Sequence, residues 1–176
     1  MLIIINSIVV IILIFLLILL SMTWPPDSPW SPWWRTSKKT ARKICKLAEV
    51  TSKDIVYDLG CGDGSLVIVA SKEYGARCIG IEIDPARFLI SKTRVCFNNL
   101  SKKIKVKKEN FFKEDLSGAT IISMYLVPRV LKKIIPKLVK ELKPNTKIIS
   151  YKYKMELPLI KYDQENKIYI HKIKNE

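Results

Sequence analysis

Three of the six glycines in the chain fall within Val56-Tyr57-Asp58-Leu59-Gly60-Cys61-Gly62-Asp63-Gly64. A short apolar run, 54–59, leads into them, and helical spacing resumes at Ser65. A strand that turns through glycines into a helix is the context of a nucleotide-binding turn. Glycine serves such a turn in two ways: the backbone needs angles that a Cβ opposes, and a ligand must approach the backbone closely. A chain organised around this turn is committed to an α/β architecture, because the strand needs a sheet and the helix needs a face of that sheet to cover.

The residues after 37 keep to that plan. Helical patterns are expected at 38–49, with Ser37 as N-cap, and at 65–74, 85–98 and 128–142. Gly75 ends the second of these, Pro85 opens the third, and Pro136 lies inside the fourth. Strands are expected at 54–59, 77–83, 103–107, 119–124, 146–153 and 167–172. Strands alternating with helices imply a Rossmann-like, doubly wound sheet, parallel in its main part. No helix separates the last two strands, so they should pair antiparallel.

The chain of 176 residues has 31 Lys and Arg against 16 Asp and Glu, a net charge of +15, and is 48% hydrophobic. That is enough for one core and too apolar for a disordered chain. Cys45, Cys61, Cys78 and Cys96 are widely spaced and His171 is the sole histidine. Neither a disulfide framework nor a metal site fits this pattern, and reduced thiols in a cytoplasmic compartment are expected.

Charge is distributed unevenly. Every Lys and Arg lies at or beyond Arg35, and Asp27 is the sole ionisable side chain before it. Leu2 to Leu20 is apolar except for Asn6 and Ser7, long enough as a helix to span about 28 Å, close to bilayer thickness. Residues 1–23 are therefore read as a single transmembrane anchor. All four tryptophans follow in 24–34, interleaved with Pro25, Pro26, Pro29 and Pro32, so 24–36 is read as an interfacial linker and 37–176 as the domain. The basic run Arg35, Lys38, Lys39, Arg42, Lys43 and Lys46 places the domain on the cytoplasmic side of the cell membrane, against anionic lipid. No nucleic-acid-binding motif accompanies the positive charge.

The glycine spacing narrows the ligand. A dinucleotide loop of the GxGxxG type needs glycine at 65, which is Ser65. Asp58, two residues before Gly60, would repel a pyrophosphate but can accept hydrogen bonds from an ammonium group. The pattern Asp58-x-Gly60-x-Gly62-x-Gly64 resembles motif I of the class I S-adenosylmethionine-dependent methyltransferases. The resemblance implies S-adenosyl-L-methionine as cofactor, with the loop, Cys61 included, cradling its methionine end. It implies that Glu82, in Gly80-Ile81-Glu82-Ile83-Asp84, binds the ribose hydroxyls beside Ile83. It also implies an adenine site at Asn110 and Phe111, where the family usually has Asp and this chain has Asn. A carboxylate suits a diol because its two oxygens accept both protons.

Further along, 32–38, Asp115-Leu116-Ser117, Tyr125-Leu126-Val127-Pro128 and Glu141-Leu142-Lys143-Pro144 resemble, in order and spacing, the small membrane-anchored lysine methyltransferases of the ATP synthase c-subunit and the adenine nucleotide translocase. This implies N-methylation of lysines on membrane proteins. In that architecture Met124, Tyr125, Leu126 and Pro128 border the transferred methyl. Tyr125 reads either as aligning the acceptor or as a structural tyrosine at a strand end, and Trp33, Trp34, Thr36 and Ser37 read as a lid, with purely interfacial anchoring as the alternative for the tryptophans. Two other readings stay open: methylation of a lipid or quinone headgroup, and a tethered cofactor-binding module without turnover. Asp115 reads as a turn cap, Cys61 as a small filler, His171 as a strand-surface residue, and the lysines at 102–108 as a solvated face.

Overall fold

A computed structural model of the chain describes residues 2–23 and 34–173. The linker expected at 24–36 therefore lies outside the described residues except for its last three positions. Trp24, Trp30 and Trp33 lie outside the described residues as well.

The first helix, α1, runs Leu2–Thr23. From Ile4 to Leu19 its side chains are exposed. Among the described residues no helix is long and apolar enough to cross a membrane.

The domain follows as α2 (Lys38–Leu47), β1 (Ile55–Leu59), α3 (Ser65–Tyr74), β2 (Arg77–Glu82), α4 (Pro85–Phe97), β3 (Ile104–Lys108), β4 (Ile121–Met124), α5 (Pro128–Glu141), β5 (Lys147–Tyr151), β6 (Leu159–Asp163) and β7 (Ile168–Lys172). The sheet order is β3-β2-β1-β4-β5-β7-β6. The first five strands are parallel neighbours, and β7 enters antiparallel to both β5 and β6. Alternation along the strands sends side chains to opposite faces. Val56, Ile121 and Ile149 pack with Ala41, Ile44, Cys45 and the buried face of α3. Tyr57, Ile122, Met124 and Ile148 pack with Val130, Leu131, Ile134 and Leu138 of α5. The sheet is thus covered on both faces, as a doubly wound fold requires.

Caps set the helix starts. Ser37 accepts a hydrogen bond from the Thr40 N–H at 3.0 Å, and Asp84 accepts from the Arg87 N–H at 2.8 Å, with Pro85 behind it. The last helix continues through Pro136 to Glu141.

Two expectations need correction, and one causes the other. Six strands were expected and seven are present. The additional strand, β6, is exposed along most of its length, so it carries no core-facing alternation that would mark it. With β6 on the outside, β7 is an interior strand. His171, expected on the surface, is fully buried, with Nδ1 3.0 Å from the Leu157 carbonyl oxygen. Burial pushes its pKa below the usual histidine value.

Candidate active site

The carboxyl ends of β1, β2, β4 and β5 open into one cleft. Its wall includes Asp58, Gly60, Cys61, Gly62, Glu82, Ile83, Asn110, Phe111 and Tyr125, so nine of the ten residues singled out in the sequence meet there. Gly64 stands apart from the lining. It begins α3 with φ +74°, and a Cβ there would come within 3.2 Å of Ser91 Cβ. Its part is to seat the loop on α4. The expected lid is partly present: Trp34 and Thr36 reach the cleft, whereas Trp33 lies outside the described residues. Met124 and Leu126 line the wall, and neither Pro128 nor Ser37 does.

The glycine turn is pinned to β2. The Gly60 and Cys61 N–H groups both donate to the Ile81 carbonyl, at 2.9 and 3.0 Å, and Gly60 adopts φ +78°. This close approach explains Gly80, whose missing Cβ would lie 2.9 Å from Cys61 Sγ. Cys61 is the small filler expected, packed between loop and strand.

Asp58 pairs in register with Gly80 on one side and Ser123 on the other. It is buried, and its pKa is pushed up to about 7, first by burial and then by the Glu82 charge, against a hydrogen bond from Ser123. Glu82 ends β2, also buried, and accepts the Gly62 N–H at 2.9 Å and the Asp84 N–H at 3.0 Å. Burial raises its pKa too, with those two backbone bonds opposing the shift. Two buried carboxylates thus face one cleft, and the other charge acting on Asp58, Asp63, is again acidic. Such a pair is costly unless a cation or hydroxyl donors complete it.

Asn110 follows β3, where its side-chain oxygen accepts the Phe112 N–H at 3.0 Å. The amide NH2 remains available as donor, and the Phe111 and Phe112 rings, 4.8 Å between centroids, supply flat apolar surface beside it. Asp115 caps its own turn, accepting from the Ser117 N–H at 2.9 Å.

Several contributors were not read from the sequence. Asp63 is buried in the loop and meets Arg94 of α4 at 2.5 Å and Arg35 at 2.7 Å. Arg94 also donates to the Asp63 carbonyl at 2.6 Å. This arrangement ties the segment before α2 to the glycine loop. Tyr151, at the end of β5, joins the wall beside Tyr125, with ring centroids 4.6 Å apart. An acid inside the glycine turn was the one signal that could have drawn attention to Asp63.

The strand order, the acid-glycine loop on β1 and the second acid ending β2 define a class I methyltransferase. Comparison with known proteins agrees. The model of the ANTKMT methyltransferase domain matches residues 58–158. A protein-lysine N-methyltransferase of Saccharolobus islandicus is 36% identical over 76% of this chain and 82% of its own length. An ATP synthase c-subunit lysine N-methyltransferase of Caenorhabditis elegans is 27% identical over 64% of this chain and 58% of that protein. Among solved structures, an RNA methyltransferase from Salinibacter ruber in complex with S-adenosyl-L-homocysteine superposes with a TM-score of 0.77 at 32% identity, over 81% of this chain and 95% of that one. The chain belongs to the ANTKMT methyltransferase domain family, and it is an S-adenosylmethionine-dependent methyltransferase. The site fits that cofactor: an ammonium at Asp58 would offset the carboxylate's desolvation and its repulsion by Glu82.

Proposed function

We propose that the chain N-methylates lysine side chains of proteins held at the cytoplasmic face of a membrane. The observation that carries the lysine reading is a cleft that joins the acids Asp58, Asp63 and Glu82 with the aromatic side chains Trp34, Tyr125 and Tyr151 in one lining. Aromatic faces attract an ammonium group. The S. islandicus and C. elegans relatives, both named as lysine methyltransferases, support the same acceptor. The membrane reading rests on the apolar, exposed stretch of α1 and on the basic residues that follow it.

S-adenosyl-L-methionine supplies an electrophilic methyl on a sulfonium. In this reading Asp58 holds the cofactor's ammonium, Glu82 its ribose diol, and Ile83, Asn110 and Phe111 its adenine. Met124 and Leu126 form apolar wall next to Tyr125. Such a wall strips water from an incoming lysine, which favours the neutral amine that attack requires. The chain needs no acid-base triad for this, since alignment in a dry channel is the main demand of an in-line transfer.

The test is to incubate the full-length chain with membranes and S-adenosyl-L-[methyl-³H]methionine, then separate protein, lipid and RNA. Label should appear in protein and, after acid hydrolysis, co-elute with methylated lysine. Label in the lipid extract would favour a headgroup acceptor, label in RNA a nucleotide acceptor, and no label a module that binds without turnover.

A further inference from the structure

Lys152 follows β5 and is exposed, and its ammonium lies beside three aromatic rings. Its Nζ lies 5.4 Å from the Tyr125 ring centroid, 5.6 Å from Trp34 and 5.8 Å from Tyr151. The three rings come from the segment before α2, the loop after β4 and the end of β5, and all three line the cleft that contains Asp58 and Glu82. Each lies within the roughly 6 Å at which a ring face attracts a cation.

The backbone aims Lys152 at them. Its φ is +68°, a left-handed conformation that residues other than glycine adopt when neighbouring structure holds them there. Its N–H donates to the Lys167 carbonyl at 2.7 Å, and the Ser150 hydroxyl donates to the Tyr153 carbonyl at 2.5 Å. Both bonds tie the turn to the end of the sheet. Ordering a lysine side chain costs rotamer entropy, and three convergent rings offer a compensation that a single ring does not. A hydrogen bond with the Tyr125 hydroxyl, foremost, raises the Lys152 pKa. In this position the lysine is a charged guest and not a nucleophile.

We propose that Trp34, Tyr125 and Tyr151 form an entry site for the primary ammonium of the acceptor lysine, and that Lys152 fills this site from within the chain until an acceptor displaces it. The inference rests on the lysine reading above and adds a specificity site and a built-in competitor. An acceptor that offers its lysine on a constrained surface competes with a tethered side chain of the same chemistry, so free basic peptides are disfavoured. Inside the rings lies the apolar wall, where the preference reverses: the acceptor passes from a site that favours the ammonium to one that favours the amine.

The probe is n-butylammonium, a lysine side chain without its backbone, titrated into the full-length chain in detergent micelles and followed by ligand-observed NMR. Lys152→Asn removes the cation with a residue that tolerates the left-handed conformation, and should tighten butylammonium binding about tenfold if the rings are covered about nine-tenths of the time. Lys152→Arg keeps a cation on the rings and should bind no tighter than wild type. Adding Tyr151→Leu to Lys152→Asn should remove the gain, while the affinity for S-adenosyl-L-homocysteine, measured on each variant, reports that the cleft is intact. A Lys152→Asn protein with normal S-adenosyl-L-homocysteine affinity and no gain for butylammonium overturns the proposal, as does a gain that survives Tyr151→Leu. Labelled methyl-lysine without the gain overturns the proposal and leaves the lysine-methylation reading standing. The gain without any labelled methyl-lysine keeps the ammonium site and removes the lysine-methylation reading.

Discussion

Asp58→Asn should weaken cofactor binding by about 10- to 150-fold, the loss of a charge-assisted hydrogen bond worth roughly 1.5–3 kcal/mol. The same substitution should make the free protein more stable at pH 8. Both effects come from one carboxylate. Asp58 is buried, with its pKa raised to about 7 by burial and by Glu82. Because the folded value lies above the unfolded one, its contribution to stability is fully present below the ordinary carboxylate range and is lost as pH rises through about 7. Asparagine keeps the shape and never ionises, so that loss disappears, and Tm at pH 8 should rise by at least about 3 °C. Glu82→Ala should also weaken the cofactor but with the opposite effect on stability. Glu82 accepts the Gly62 and Asp84 N–H groups, and stranding them costs on the order of 1–3 kcal/mol. Calorimetry with S-adenosyl-L-methionine and thermal melts of the free proteins measure both quantities. Cofactor affinity unchanged in both variants would remove the assignment of the two acids.

That contrast also marks what could be read along the chain and what could not. Asp58, Gly60, Gly62 and Glu82 were legible because each is fixed by a local event: a strand end, a turn that needs φ above zero, a second strand end. Local signals place such residues whatever the distant chain does. Arg35, Asp63 and Arg94 were not legible, because their contact joins three elements 28 to 31 residues apart and depends on where α2 and α4 land on the sheet. Tyr151 and Lys152 were hidden for a related reason, since their direction follows from how β5 ends, and the left-handed turn at Lys152 carries no glycine to announce it. The missed β6 shows the limit of apolar periodicity. An edge strand with mostly exposed residues buries too little to leave a pattern, and the misplacement of His171 followed from it.

Removing residues 1–23 should leave cofactor affinity unchanged and reduce methylation of membrane-embedded acceptors by about 100-fold or more. Among the described residues, those that line the cofactor cleft all lie at or beyond Trp34, and none belongs to α1. In the proposed membrane reading, residues 1–23 would contribute confinement: an acceptor in the same bilayer would meet the cleft at an effective concentration that free diffusion does not supply, a gain of about 10²–10⁴. In that reading the net charge of +15 would act in the same direction, drawing the domain to anionic lipid and repelling free basic proteins. Replacing 1–23 by an unrelated transmembrane helix of the same orientation should restore the rate. Initial rates on membranes for the full-length, truncated and chimeric proteins measure this. Equal rates for truncated and full-length proteins would make the anchor irrelevant to acceptor choice.

The cofactor's orientation in the cleft depends on Asp58 meeting a cation. At pH 6 the free protein holds Asp58 mostly protonated, given a pKa of about 7, whereas an ammonium seated against it requires the carboxylate. Binding of S-adenosyl-L-methionine at pH 6 should therefore release close to about one proton, read from calorimetric enthalpies in two buffers of different ionisation heat. Affinity should climb with pH until about 7, and Asp58→Asn should abolish the release. A wild-type protein that binds S-adenosyl-L-methionine at pH 6 without releasing a proton, or an Asp58→Asn protein that releases as many, would contradict it.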